Sequence, residues 1–281
     1  SSLDYKFQGS VPSNTHIKGH SDIDLVQITN SFYSHEGKNN FTLKLNTSFL
    51  LESQKQRLLE VVNGTPYTDD VNDDLRRVRI DAENVLRGIY KHVNTSKPKS
   101  IEVNPTNPDR IVDVVTASWY KSVDSVISND EDKHGIRIYD KVKNNRLPVD
   151  FPFLKINLLN EKDKNVNGRL KKMIRFLKNI KADSDYNLKD ISSFDISSIC
   201  FNIPSYKYND KIYYELVIIL YSEFLKILED ETYRNNLKSI DGSEPVFRGK
   251  DEKVRSLRLL FNDLSAIHKD LVSQTSYAKF L

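Results

Sequence analysis

With 281 residues, 38% of them apolar and 29% charged, the chain is long enough for one large two-lobed domain or two small ones and has the composition of a globular protein. No run approaches the roughly 18 apolar residues of a membrane span, and Ser1 to Ser10 lacks the apolar core of a secretory signal. Cys200 is the single cysteine, which excludes an intrachain disulfide and a cysteine-built zinc site, so a cytoplasmic protein with no membrane partner is expected.

In chain order, Tyr5 to Phe7 and Ile23 to Ile28 read as strands, and the alternation Phe41, Leu43, Leu45 suggests a third. Ser53 to Val62 reads as a helix, and Asp69 to His92 as a long one with acids early and apolar residues at helical spacing. Ser100 to Val103 and Arg110 to Val115 are expected strands, joined by the Asn-Pro-rich turn Asn104 to Asp109. Gly135 to Tyr139 is another. Pro148 and Pro152 bracket a break, after which the pattern is helical: Arg169 to Ile180, Asp195 to Phe201, Ile212 to Glu229 and Glu252 to Val272. The expected organisation is a mixed α/β lobe over residues 1–150 and a helical lobe over residues 151–281.

The chemistry concentrates at Gln8-Gly9-Ser10 and Ser21-Asp22-Ile23-Asp24-Leu25. In a strand, Asp22 and Asp24 point to the same side, about 6–7 Å apart along the backbone. Two carboxylates so close repel each other unless a cation sits between them. A hard divalent ion with oxygen ligands answers that need, and magnesium suits a site beside phosphates, with manganese as a substitute. Gly9 lets the backbone approach a ligand closely, and Ser10 offers a hydroxyl and an N–H to a phosphate. A third carboxylate, Asp113, lies inside the otherwise apolar Ile111 to Val115, where burial without a partner or metal is costly. The alternative is that Asp113 faces solvent on an edge strand. Three converging carboxylates define a two-metal phosphoryl-transfer site, with Asp113 nearest the attacking hydroxyl.

These segments resemble the polymerase-beta nucleotidyltransferase superfamily, and within it the cGAS/DncV-like nucleotidyltransferases, or CD-NTases. In many members the third aspartate opens a phrase like VDVVPA, and residues 111–119 read IVDVVTASW, with Thr116 in place of the proline. The resemblance implies a bilobed α+β fold with nucleotide in the interlobe cleft, and synthesis of a cyclic or linear oligonucleotide messenger from ATP, GTP or other triphosphates. It further implies two magnesium ions, a role in bacterial antiphage signalling and a downstream effector. The helix from Gly168 to Lys178 resembles the family's donor-binding helix, which gives Lys178 the triphosphate lysine's place. Ser192-Ser193-Phe194 resembles the later segment that contacts phosphate and stacks on the base, which gives those roles to Ser193 and Phe194. Phe194 reads equally as a core aromatic. Trp119 and Tyr120 read as packing residues, and His20 as a loop residue beside the aspartates. Members usually carry a helix before the Gly-Ser strand, whereas eight residues precede Gly9 here.

The basic stretch from Lys162 to Lys181 fits either a polyanionic partner or a solvated helix face. The first option keeps a second reading open, a nucleotidyltransferase acting on RNA, a protein or a small molecule. A regulatory protein partner is also compatible with the family.

Overall fold

The computed structural model describes residues 2–19, 22–47, 49–107 and 110–277. His20, Ser21, Pro108 and Asp109 lie outside the described residues. The elements in order are β1 (Leu3–Gln8), β2 (Ile23–His35), α1 (Lys38–Thr47), α2 (Glu52–Asn63), α3 (Val71–Ile89), β3 (Val93–Asn94), β4 (Ser100–Val103) and β5 (Val112–Lys121). Next come α4 (Val123–Ser128), a 3-10 turn (Glu131–Lys133), β6 (Gly135–Asp140), β7 (Asn145–Arg146), α5 (Pro152–Asn165) and α6 (Arg169–Asp183). The remaining helices are α7 (Ser193–Asn202), α8 (Ser205–Tyr208), α9 (Tyr213–Glu229), α10 (Glu231–Asn236) and α11 (Asp251–Tyr277). The chain divides into two compact units, Ser1–Ser13 with Asp22–Asn157, and Asn14–Ser21 with Leu158–Leu281.

The first unit is built on one sheet in the order β1-β2-β5-β4-β3, with β6 on β5 and β7 on β6. β5 is its centre. It pairs in parallel with β2 along one edge, while β4 takes the first half of its other edge and β6 the second half. Alternation along β2 and β5 then sorts side chains between two faces. Val26, Ile28, Val115, Ala117 and Trp119 share one face and pack with Ile136 and Phe153. Leu25, Val112, Val114, Ile101 and Val103 line the opposite face, under Ala82 and Leu86 of α3. Trp119 packs as expected from its sequence context, and its indole N–H donates to Asn30 Oδ1 at 3.1 Å.

The segment Phe41 to Leu45 is helical, where alternation had suggested a strand. Phe41 and Leu45 stand four apart, on one helical face. Phe41 is fully buried against α2 and α4, while Leu43 between them is 60% exposed. The break bracketed by Pro148 and Pro152 is non-helical, and helix α5, which the sequence pattern did not mark, follows it directly. Pro152 is its first residue, where the missing N–H costs nothing because no partner exists for it there.

The second unit is helical around one core. Leu170, Met173, Ile174 and Leu177 form the buried stripe of α6 at the spacing of one helix face. They pack with Ile196 and Ile199 of α7, Phe224 of α9 and Leu257, Leu260 and Leu264 of α11. Cys200 sits in that core, fully buried, and burial pushes its thiol far above the ordinary range. A disulfide reagent should therefore leave Cys200 unmodified in the folded protein, and a colour-forming thiol assay should show labelling only at the rate of unfolding. Prompt stoichiometric labelling of the native protein would contradict this packing. Among the described residues no helix is long and apolar enough to cross a membrane.

Candidate active site

Three acidic residues of the sheet, Asp24, Asp113 and Glu102, are gathered by register. Asp24 of β2 pairs with Asp113 of β5, Gln8 of β1 with Asp24, and Glu102 of β4 with Asp113. Directly paired residues share a face of the sheet. Gln8, Asp24, Asp113 and Glu102 therefore form one row across four strands, beyond the end of the apolar layer formed by Val26 and Val115. Asp113 lies on a central strand, so the edge-strand alternative for it is removed. Asp22 immediately precedes β2 and is exposed. Its carboxyl is nonetheless partly withdrawn from water, and that desolvation, and next the negative charge of Asp113, raise it above the ordinary aspartate range.

The partners of Asp113 were not read from the sequence. Its Oδ1 accepts from Ser100 Oγ at 2.9 Å and from Lys97 Nζ at 3.2 Å. The same ammonium lies 2.6 Å from Glu102 Oε2, and that contact holds the Glu102 carboxyl below its ordinary range. Ser100, Glu102 and Lys97 belong to a turn and short strand whose pairing with β5 is non-local. The one local signal was the alternation of Ser100 and Glu102 with Ile101 and Val103.

Gly9 opens the turn after β1 with φ +72°, and Asp24 lies against it. A Cβ at this position would stand 2.2 Å from Asp24 Oδ2. Ser10 is half-buried in the same turn, where Ser13 Oγ donates to the Gly9 carbonyl at 2.9 Å and the Ser10 carbonyl at 3.3 Å.

The donor set on this face consists of carboxylate oxygens, the ligands that hard divalent cations take, and Gly9 leaves room at Asp24 that any side chain would fill. The chemistry of these residues fits such an ion. Their side chains are not drawn round one point. Among the described residues no three acidic, histidine or cysteine side chains stand close enough together to hold a metal, and Asp113 Oδ1 is turned to Lys97 and Ser100.

The three remaining candidates belong to the second unit. Lys178 is 5% exposed and its ammonium donates to the Thr15 carbonyl at 2.7 Å. One turn earlier, Arg175 Nη1 donates to the Asn14 carbonyl at 2.5 Å. Helix α6 thus holds the segment that joins the Gly9 turn to Asp22. Ser193 is the exposed first residue of α7, and Phe194 is half-buried against the helical core. The helix start is fixed by a reciprocal pair, Asp195 N–H to Ser192 Oγ at 3.0 Å and Ser192 N–H to Asp195 Oδ2 at 2.8 Å. Lys253 of α11 donates to the other Asp195 oxygen at 2.6 Å.

The basic stretch is largely committed internally. Lys162 donates to the Phe201 and Ile203 carbonyls, Arg169 to that of Lys211, Lys181 to that of Ile191, and Lys171 to Asn160 Oδ1. Lys164 and Lys172 remain exposed. These bonds explain the cluster as stitching between helix ends and give no support to a polyanion-binding face.

Residues 157–269 match the model of the cGAS/DncV-like nucleotidyltransferase C-terminal helical domain. A c-di-GMP synthase of Flavobacteriaceae sp. genome_bin_11 is 44% identical over 97% of this chain and 76% of its own length. The chain belongs to the CD-NTase family. A second relative, a c-di-GMP synthase of Capnocytophaga granulosa, is 40% identical over 96% of this chain and 78% of its own length. The solved structure of a STING-associated CdnE c-di-GMP synthase from Flavobacteriaceae sp. superposes with a TM-score of 0.87 at 42% identity, covering 97% of this chain and 77% of that one. This CD-NTase is accordingly a nucleotidyltransferase of the second-messenger class with the bilobed polymerase-beta-like fold. Enzymes of the family are metal-dependent.

Gly9→Ala tests the close approach at Asp24. The added methyl must displace the carboxylate, and a left-handed backbone costs a residue with a Cβ about 1–2 kcal/mol. Because a misplacement near 1 Å can cost on the order of a hundredfold in rate, triphosphate turnover by this CD-NTase should fall by at least that factor. Circular dichroism of the variant should stay native. Turnover within a few-fold of wild type would show that Asp24 is free to move.

Proposed function

We propose that this CD-NTase joins two GTP molecules into c-di-GMP on the carboxylate face of its sheet. The observation that carries the reading is the register that sets Asp24 beside Asp113, with Asp22 two residues away, in a chain 44% identical to a c-di-GMP synthase. Asp22, Asp24 and Asp113 would hold two magnesium ions. A divalent cation held there would lower the pKa of the attacking ribose hydroxyl and neutralise the pyrophosphate released at each of the two bond formations. Asp113 takes the hydroxyl proton. Gly9 and Ser10 would present the turn to the donor phosphates, and the family resemblance gives Ser193 a phosphate contact and Phe194 stacking on the base. Lys178 acts one step removed, by holding Thr15 and so the path from Gly9 to Asp22. The product would be read by a downstream STING-type receptor, the association named for the Flavobacteriaceae relative.

The test is mass spectrometry of products from an equimolar mixture of the four ribonucleoside triphosphates with magnesium. c-di-GMP as the dominant product is expected, with GTP alone sufficient. A mixed cyclic dinucleotide would overturn the product assignment, and labelled RNA in place of any cyclic product would overturn the reading.

A further inference from the structure

We propose that Lys97 is a tethered counter-ion of the metal site, a positioning residue whose ammonium competes with the divalent cation for Asp113 and so sets its affinity. The inference rests on the assignment of Asp22, Asp24 and Asp113 as metal ligands. Lys97 Nζ bridges Glu102 Oε2 at 2.6 Å and Asp113 Oδ1 at 3.2 Å, so it occupies one end of the acidic row. A flexible surface lysine would contribute little in such a place, because solvent and side-chain entropy offset the pairing. Lys97 is held from behind. Arg79 of α3, with no exposed side-chain surface, donates from Nη2 to the Lys97 carbonyl at 3.2 Å and to the Ser100 carbonyl at 2.7 Å. Its Nε is fixed by Glu83 Oε1 at 2.8 Å, and Lys141 bridges Glu83 to the Thr95 carbonyl. The turn from Thr95 to Ser100 is therefore bracketed at three carbonyls, and its two side-chain donors converge on a single oxygen of Asp113.

Asp22, Asp24, Asp113 and Glu102 bring four carboxylates to this face, and Lys97 sets a cation against two of them, Asp113 and Glu102. Its charge opposes a bare divalent ion through direct repulsion and by occupying Asp113. A triphosphate arriving with its own ion brings further oxygen ligands that outweigh this opposition, so Lys97 makes cation loading depend on nucleotide.

Binding of Mn2+ without nucleotide, followed by electron paramagnetic resonance of the free ion, tests this on the whole chain. Lys97→Met should bind Mn2+ roughly tenfold more tightly, as expected for removing a unit charge a few ångströms from a divalent ion in water. Lys97→Arg, which keeps the charge, should bind as wild type does, and Glu102→Gln should bind more weakly. Lys97→Gln serves equally if the methionine variant is insoluble. Unchanged or weaker binding by the neutral variants would overturn the proposal and leave Lys97 as a prop for Asp113. Asp113→Asn separates the two levels: if it fails to weaken Mn2+ binding, the metal-site reading itself is wrong. If it weakens binding while Lys97→Met does not tighten it, only the role of Lys97 falls.

Discussion

Asp24→Asn and Asp113→Asn should each lower c-di-GMP formation by about a thousandfold or more, the factor that corresponds to losing roughly 4 kcal/mol of transition-state stabilisation. The substitution keeps the shape of the side chain and removes its charge, so packing is hardly disturbed. Asp24 already lies on Gly9, and an amide can remain there. Asp113 keeps Ser100 as a donor to its remaining carbonyl oxygen. Loss of activity with native circular dichroism, and with weaker Mn2+ binding measured separately, would identify charge as the lost property. Retention of a tenth of wild-type activity by either variant would remove that residue from the catalytic set. The Asp113 result carries more weight, because its charge also acts on Asp22 and Lys97.

How much of this was legible depends on how local each signal is. The period of two in a strand is local, so Asp22, Ile23, Asp24 could be read from spacing, and the strand at Ser100 to Val103 was placed with its bounds. Which strands adjoin is non-local. Glu102 opposite Asp113 and Lys97 bridging them become visible only once β4 is laid against β5. Phe41, Leu43 and Leu45 fit a strand by alternation over so short a length, and it is the burial of Phe41 with Leu45 beside it and Leu43 left exposed that marks the helix. At Lys178 the helical face carries information that composition does not. Composition marks α6 as basic, yet position 178 is four residues after Ile174 and next to Leu177, on the buried stripe. A lysine there must find its partner inside the protein, and it takes the Thr15 carbonyl. Reading charge by helical face, and not by run, would have separated Lys178 from the exposed Lys164 and Lys172.

The largest stability effect should come from the bracket behind the site. Removing one member of a buried ion pair typically costs about 3–5 kcal/mol, because the other charge is left without compensation. Arg79→Met leaves Glu83 with Lys141, whose ammonium lies at 2.9 and 3.0 Å from its two oxygens, so the cost should sit at the lower end of that range. Glu83→Gln leaves Arg79 fully buried beside a second cation, and one guanidinium nitrogen, Nη1, already lacks a partner. Glu83→Gln should therefore be the worse of the two, and with about 2–4 °C per kcal/mol for a unit of this size the melting temperature should drop by roughly 10 °C or more. Calorimetry decides the order: if Arg79→Met melts lower than Glu83→Gln, the two carbonyl bonds that Arg79 makes to the turn outweigh the charge left behind when Glu83 is neutralised. Activity should fall beyond what unfolding explains at 25 °C, since both changes loosen the carbonyls of Lys97 and Ser100 and with them the two donors on Asp113. Double variants with Asp113→Asn should then show non-additive losses, because the bracket acts on chemistry only through that carboxylate.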